Sequence, residues 1–325
     1  MNLFGDTKVD PGGFVFSPMN YVGGKRRLMP QLRPKIFVTP DTVFVDMFAG
    51  GGTVSANSGT NTVWLNDYGS YSIGMIKLLV ETDPDVLIPR LDSIRDAHRH
   101  VEEDGLTSPM HLGKTGYDEI VEYVNNRGGL PDEIDFSRPY TEEERELWIR
   151  AFLTTAHCFS NQPNYSPEGL IKHAYANDHR HVNPVMRKNI RNFYSRMKTK
   201  DVSLNMGDFR TITPERLAEL YPGRDVYFYA DPPYLVTNAF YNDGWGEDEE
   251  NDLYELLDRV DAAGYGFGLS NVRHSQGRVN NILNTWAEKY DAHDLHFHYG
   301  NASASRKVRS EEKPGEVFVT NRKDV

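Results

Sequence analysis

Six short runs dense in valine and aromatic residues punctuate this chain, and they limit its architecture more than any other feature. They are TVFVDMF (42–48), TVWLND (62–67), DVYFYAD (225–231), YGFGLSN (265–271), DLHFHY (294–299) and EVFVTN (316–321). Each is bounded by Gly, Pro, Asn or Asp, the pattern of a buried strand. Helical patterns lie between several of them, among them GSYSIGMIKLLVE (69–81) and EDEENDLYELLDRVDAAG (247–264). In the second, Leu253, Leu256, Leu257 and Val260 share one face, and Gly264 is placed to cap the C-terminus. Strands alternating with helices predict an α/β fold whose sheet is mostly parallel and covered on both faces.

The stretch from about 84 to 200 breaks that alternation. PDVLIPRLDSIRDAHRHVEE (84–103), GYDEIVEYVNN (116–126), TEEERELWIRAFLTTAHCF (141–159) and NPVMRKNIRNFYSRMKTK (183–200) all read as helices. A chain of 325 residues can hold two domains or one large domain with an insertion. The expected division is a sheet domain from 1–83 and 201–325, with a helical insertion at 84–200 after the second strand. Extra helical packing of one domain is the alternative.

Charge and cysteine narrow the function classes. With 36 basic against 47 acidic residues, net −11, the chain is not coated in positive charge, although a local basic groove is compatible with that balance. The single cysteine, Cys158, excludes an internal disulfide framework and a cysteine-rich zinc site, and fits a reducing compartment. No apolar run reaches membrane-spanning length, and MNLFGDTKVDPGGF lacks the charged-then-apolar layout of a signal peptide. The expectation is a soluble cytoplasmic protein that needs no metal.

The candidate site begins at FVDMFAGGGTVS, which reads strand, acid, glycine turn, helix. Asp46 closes the strand, and Gly50, Gly51 and Gly52 let the backbone approach a ligand at a strand's carboxyl end, where open α/β sheets bind. The spacing matches neither G-x-G-x-x-G nor a phosphate loop, which favours a nucleoside ligand without a pyrophosphate. Asp67 closes the next strand, where a carboxylate can accept from ribose hydroxyls. Asp208 and Phe209, in LNMGDF, could bind an adenine amino group and cover its base. Helix N-caps and core packing are the competing readings.

YADPPY (229–234) adds chemistry to that pocket. Two successive prolines hold a rigid extended turn with free carbonyl oxygens. The Asp231 carboxylate and the Pro232 carbonyl can both accept from one exocyclic NH₂, and Tyr234 can stack on the ring that bears it. An aryl amine is a poor nucleophile because its lone pair is delocalised. Two acceptors on its hydrogens favour a pyramidal nitrogen and aim the lone pair outward, toward a methyl donor held in line.

These passages resemble the Dam-type, D12-class (alpha group) DNA adenine-N6 methyltransferases. YVGGKRRLMPQL (21–32) is similar to the family's N-terminal aromatic-x-G-G-K motif, FVDMFAGGGTVS to its cofactor motif, LNMGDF to its adenine-contacting segment and YADPPY to its catalytic tetrapeptide. The resemblance implies a Rossmann-like sheet that binds S-adenosylmethionine, yields S-adenosylhomocysteine, and carries a helical target-recognition insertion. Tyr21, Gly24 and Lys25 would line the cofactor pocket, with Lys25 a partner for the methionine carboxylate. Asp46, Phe48, Gly50 and Gly52 would shape the methionine end, Asp67 would hold the ribose, and Asp208 and Phe209 the adenine. Asp231, Pro232, Pro233 and Tyr234 would act on an adenine flipped from duplex DNA. A solvated basic turn is the other reading of Lys25-Arg26-Arg27, and structural capping that of Ser270-Asn271, which could also brace the catalytic loop.

An acidic protein that binds DNA must segregate its charge. Segment 180–200 carries Arg187, Lys188 and Arg191 among seven basic residues and no acid, and ASRKVR supplies Arg306, Lys307 and Arg309. Both are candidates for phosphate contacts, with a solvated helix face the alternative for the first. Segment 243–258, with eight acids, is expected to face away from DNA or to flank the site as a charged lid. Asn161, Gln162 and Asn164 can make the paired hydrogen bonds that suit adenine. Here the chain departs from the family, with TTAHCFSNQPN where N-R-x-x-F-N-G is usual, so a GATC target does not follow. The expected partners are double-stranded DNA and a possible restriction endonuclease counterpart, with the protein a monomer or weak dimer. Transfer to cytosine N4 or to RNA adenine is the enzymatic alternative, and a DNA-binding module without transfer the other class.

Overall fold

The computed structural model describes residues 13–19, 23–102, 104–106, 108–159, 163–176, 181–237, 244–296 and 315–323. Nine strands are β1 Val43–Asp46, β2 Thr62–Asp67, β3 Asp201–Met206, β4 Val226–Ala230, β5 Gly266–Val272, β6 His274–Ser275, β7 Arg278–Val279, β8 Asp291–Leu295 and β9 Glu316–Thr320. Ten α-helices are α1 Met29–Leu32, α2 Thr53–Asn57, α3 Ser70–Glu81, α4 Pro84–Ala97, α5 Lys114–Asn125, α6 Glu142–His157, α7 Pro184–Met197, α8 Pro214–Leu220, α9 Glu247–Ala262 and α10 Asn281–Ala287. Among the described residues no helix is long and apolar enough to cross a membrane.

Seven strands form one sheet in the order β3-β2-β1-β4-β5-β9-β8, and β6 and β7 make a separate small ribbon. The first five are mutually parallel, and β9 runs antiparallel to both β5 and β8. Successive connections leave β1 toward β2 and β4 toward β5, so the direction of winding reverses between β1 and β4. Diverging connections open a crevice at the carboxyl ends of those two strands, which is where such sheets bind ligands.

Alternation along each strand feeds two cores. In β4, Tyr227 and Tyr229 enter the cluster under α3, α6 and α7, whereas Val226, Phe228 and Ala230 enter the one under α8, α9 and α10. In β1, Phe44 joins the first and Val43 and Val45 the second. Burial on both faces is why these strands read as continuous apolar runs. Two expectations shift. β3 buries none of its side chains fully, so it shows in the sequence merely as a short apolar stretch before Asp208. β8 begins at Asp291, three residues before the expected run, because its exposure alternates as an edge strand's does.

Between α3 and β3 lies a helical stretch that comprises α4 to α7. Its helices are welded to the sheet, since Trp148, Phe152, Ile190 and Phe193 share one buried cluster with Phe44, Val63 and Ile76. The closest weld is at Gly74 in α3, where a Cβ would strike the buried Trp148 ring. Gly74→Ala is therefore expected to lower stability of the whole chain by about 1–3 kcal/mol through overpacking. A single cooperative denaturation shifted to lower denaturant would be seen; an unshifted midpoint would contradict this packing.

Candidate active site

β1 and β4 lie side by side, and their register pairs Asp46 with Tyr229. Asp231 therefore stands two residues beyond the end of the shared ladder, opposite the glycine bend that follows Asp46. Both segments line one cavity of about 770 Å³, together with Gly50, Asp67, Asp208, Phe209 and Tyr234.

The bend depends on glycine. Gly50 and Gly52 have φ of 49° and 71°, and a Cβ at Gly52 would lie 3.2 Å from Phe193. Asp67 holds the bend shut: its Oδ2 accepts from the Gly50 amide at 2.8 Å and its Oδ1 from the Gly69 amide at 3.0 Å. Asn66, which the sequence reading passed over, donates to the carbonyls of Met47 and Gly207, both at 3.0 Å. It thus ties the carboxyl ends of β1, β2 and β3 together.

Three of the carboxylates that line this cavity are raised from their ordinary values. Burial pushes Asp46 up to about 7, against the pull of the Ser55 hydroxyl, which donates to Oδ2 at 2.6 Å; Asp231 and Asp67 push it further. Asp46 Oδ1 is buried and has no hydrogen-bond partner among the described residues. Burial likewise raises Asp67, with the Gly50 and Gly69 amides opposing it. Burial also raises Asp231, opposed by Lys25.

Lys25 is 4% exposed and directed at residues 231–234. Its Nζ lies 2.5 Å from Asp231 Oδ2, donates to the Tyr234 hydroxyl at 2.8 Å and to the Gly23 carbonyl at 3.0 Å. The Tyr234 hydroxyl in turn donates to Asp231 Oδ1 at 3.0 Å. In the structure Lys25 pairs with Asp231, since an enclosed ammonium is stabilised by the nearest anion. The Pro232 carbonyl accepts no hydrogen bond from the described residues.

The far wall is aromatic. Phe48 and Phe209 have ring centroids 5.4 Å apart, and Trp245 lies 5.6 Å from Phe48 and 5.5 Å from Phe209. Asp208 caps the turn Phe209–Thr211 by accepting from the Arg210 amide at 2.8 Å and also pairs with the Arg210 guanidinium at 3.0 Å. The capping role is therefore real, and Asp208 still lines the cavity. Arg210 also pairs with Glu249 and Asp252, which anchors the acidic helix α9 beside the site.

Trp245 is held by a carboxylate that sequence reasoning did not single out. Glu250 is 0% exposed; its Oε2 accepts from Trp245 Nε1 at 2.7 Å, and its Oε1 accepts from Tyr254, Asn271 and Asn280 at 2.6, 3.0 and 2.7 Å. Asn271 thus braces α9, and Ser270 meets the Tyr229 hydroxyl at 2.9 Å. The only sequence cue for Glu250 was its place on the apolar stripe with Leu253 and Leu257. Glu250→Gln puts an amide donor into a shell of donors. It is expected to cost about 1–3 kcal/mol of stability and to raise the KM for a nucleoside ligand several-fold with little change in kcat, read by thermal melts and initial rates.

The N-terminal segment also reaches the cavity, through Phe16, Ser17 and Met19. It is clipped to α2 by Asn57, which exchanges two hydrogen bonds with Val15 at 2.9 and 2.6 Å. Pro163 and Tyr165 bring the segment after α6 to the rim, and the Tyr165 ring lies 4.7 Å from Tyr71. Asn164 is exposed on that segment. Tyr21, Asn161, Gln162, Arg306, Lys307 and Arg309 lie outside the described residues. On α7, Lys188 is exposed, but Arg187 grips Asp92 with two bonds of 2.7 and 2.5 Å and Arg191 pairs with Asp85 at 2.5 Å. Acids on α4 neutralise both arginines, which the absence of acids within 180–200 could not reveal.

Residues 21–297 match the family described as D12 class N6 adenine-specific DNA methyltransferase. Similar curated relatives are the type II methyltransferase M.FokI of Planomicrobium okeanokoites, 26% identical over 314 residues, and the modification methylase StsI of Streptococcus sanguinis, 25% identical over 316 residues. Each match covers 95% of this chain and 43% of the relative. The modification methylase LlaI of Lactococcus lactis subsp. lactis is 27% identical over 281 residues, 84% of this chain and 39% of the relative. The chain thus spans about two fifths of the length of the curated relatives it matches. Among solved structures, the rRNA methyltransferase aviRa from Streptomyces viridochromogenes covers 96% of this chain and 86% of its own at 11% identity and a TM-score of 0.36, too low to bear on fold or function.

Proposed function

The chain belongs to the D12 class N6 adenine-specific DNA methyltransferase family, and from that premise we propose that it methylates the N6 amino group of an adenine extruded from duplex DNA, using S-adenosylmethionine. The observation that carries this reading is the single cavity shared by the glycine bend and residues 231–234. The donor set suits the cofactor. Buried Asp46 and half-buried Asp67 and Asp231, around one internal ammonium, favour a ligand carrying positive charge, and Asp46 Oδ1, which has no partner among the described residues, offers an acceptor to its ammonium group. Asp67, which holds the bend, also lines the cavity and is the carboxylate we assign to the ribose hydroxyls. Phe48, Phe209 and Trp245 enclose a space suited to a flat base. S-adenosylmethionine supplies the electrophilic methyl group.

The tetrapeptide prepares the acceptor nitrogen. Asp231 takes one N6 hydrogen and the free Pro232 carbonyl the other, so the lone pair points into the cavity. Tyr234 positions the base. Lys25 occupies one acceptor face of Asp231 and holds the carboxylate ionised before the base arrives. Asp231, raised by burial, is then a suitable acceptor for the proton that N6 sheds. The helices of 84–200 carry target recognition as part of the main core rather than as a separately folding unit, with Asn164 and Lys188 facing the duplex. The relatives' names point to modification within a restriction system.

Expression in a host without DNA methylation, followed by nucleoside mass spectrometry and mapping of modified bases, tests the proposal. N6-methyladenine in a defined sequence context is expected. N4-methylcytosine alone, methylated RNA alone, or unmodified DNA would overturn it.

A further inference from the structure

A second cleft, of about 540 Å³, lies at the opposite end of the sheet. It is built around the turn 56–60 that joins α2 to the amino end of β2, beside the residue that precedes β3. β2 and β3 run parallel, so about 20 Å of strand separates this turn from Asp67 and the catalytic cavity.

Three cations converge on that turn. Lys200 Nζ donates to the Thr60 carbonyl and, at 3.4 Å, to the Ser58 hydroxyl. Arg196 donates to the carbonyls of Ala56 and Gly13, both at 3.3 Å. Arg33 packs against Gly59, where a Cβ would collide with its guanidinium, and it donates to the Ile36 carbonyl at 3.0 Å. Gly59 has a φ of 86°, so this approach depends on glycine twice.

Carbonyl capping accounts for a few of these donors, not for three charges in one place. Arg33 uses one of its five N–H donors and Arg196 two. None of the three has a carboxylate partner among the described residues. Elsewhere in this acidic chain, partly buried guanidiniums such as Arg95, Arg150, Arg187 and Arg322 each pair with one. Burial, with Arg196 and Arg33 beside it, brings Lys200 down to about 8. An anion seated among the three would relieve their mutual repulsion.

We propose that Arg33, Arg196 and Lys200 form an oxyanion site for a phosphoryl group, separate from the methyl-transfer cavity. Convergence on one turn, rather than spacing along a stripe, suits a compact multiply charged group. Such a group can be a free phosphate, a nucleotide phosphate or one phosphate of a polynucleotide backbone.

The test uses the intact chain and inorganic phosphate, with chloride at matched ionic strength as control. Acylation of Lys200 by an amine-reactive ester is followed by peptide mass spectrometry. At a phosphate concentration about ten times its dissociation constant, labelling should slow about tenfold, since only the unliganded fraction reacts. Chloride should leave the rate unchanged. Lys200 labelling that ignores phosphate, or that chloride slows equally, overturns the site without any variant. Arg33→Gln should then abolish protection while leaving methyl transfer intact; full protection in that variant also overturns it. Protection by a duplex lacking terminal phosphates assigns the group to a nucleic-acid backbone, and protection by inorganic phosphate or a nucleotide alone assigns it to a free ligand.

Discussion

Asp231→Asn is expected to reduce methyl transfer about 10²–10⁴-fold while cofactor and DNA binding persist. The amide keeps the shape of the side chain but presents a donor where the N6 hydrogens need an acceptor, and it cannot receive the proton. The same change removes the counter-ion of Lys25, whose Nζ sits 2.5 Å away at 4% exposure. Breaking a buried ion pair from one side costs about 3–5 kcal/mol, so the melting temperature should fall as well. Glu316, near enough to feel the charges of both Lys25 and Asp231, softens that loss. Single-turnover methyl transfer, with cofactor binding and melting on the same preparation, separates catalysis from folding. A rate equal to that of the parent would sink the assignment of Asp231.

The second large effect is a pH dependence centred on Asp46. Its folded value, about 7, lies above the ordinary value of 3.8 for an aspartate, so between those limits the folded protein holds a proton that the unfolded chain has released. Stability from this group is therefore full below about pH 4 and falls as pH rises toward 7. A ligand ammonium reverses the preference, because it binds the ionised carboxylate. Affinity for S-adenosylmethionine should accordingly rise about tenfold or more between pH 5.5 and pH 8 and then level off. Asp46→Asn should weaken binding at pH 8 and remove most of this slope, leaving the part due to Asp67 and Asp231. Calorimetric titrations at several pH values check it; an unchanged slope in the variant would place the titrating group elsewhere.

Parts of the fold and site that sequence reasoning recovered share one property: their signal is local. β1, β2, β4 and β5 are buried on both faces, so each is an uninterrupted apolar run with a polar stop. The glycine bend and Asp-Pro-Pro-Tyr are contiguous, and their backbone demands are written in glycine and proline. Elements missed or shifted, β3 and β8, lie at the two edges of the sheet, where half-exposed strands lose that contrast.

What the chain's order of residues determined alone was the α/β alternation, the run of helices between α3 and β3 and the acids that close each strand beside the site. Only tertiary structure decided which charges meet. Arg187 and Asp92, Lys25 and Asp231, and Trp245 and Glu250 are joined by folding, and the first two pairs lie far apart in the chain. A Coulombic or hydrogen-bonded pair forms with whichever group packing brings within reach, and the hydrophobic pattern that directs packing says nothing about the polar atoms carried along with it.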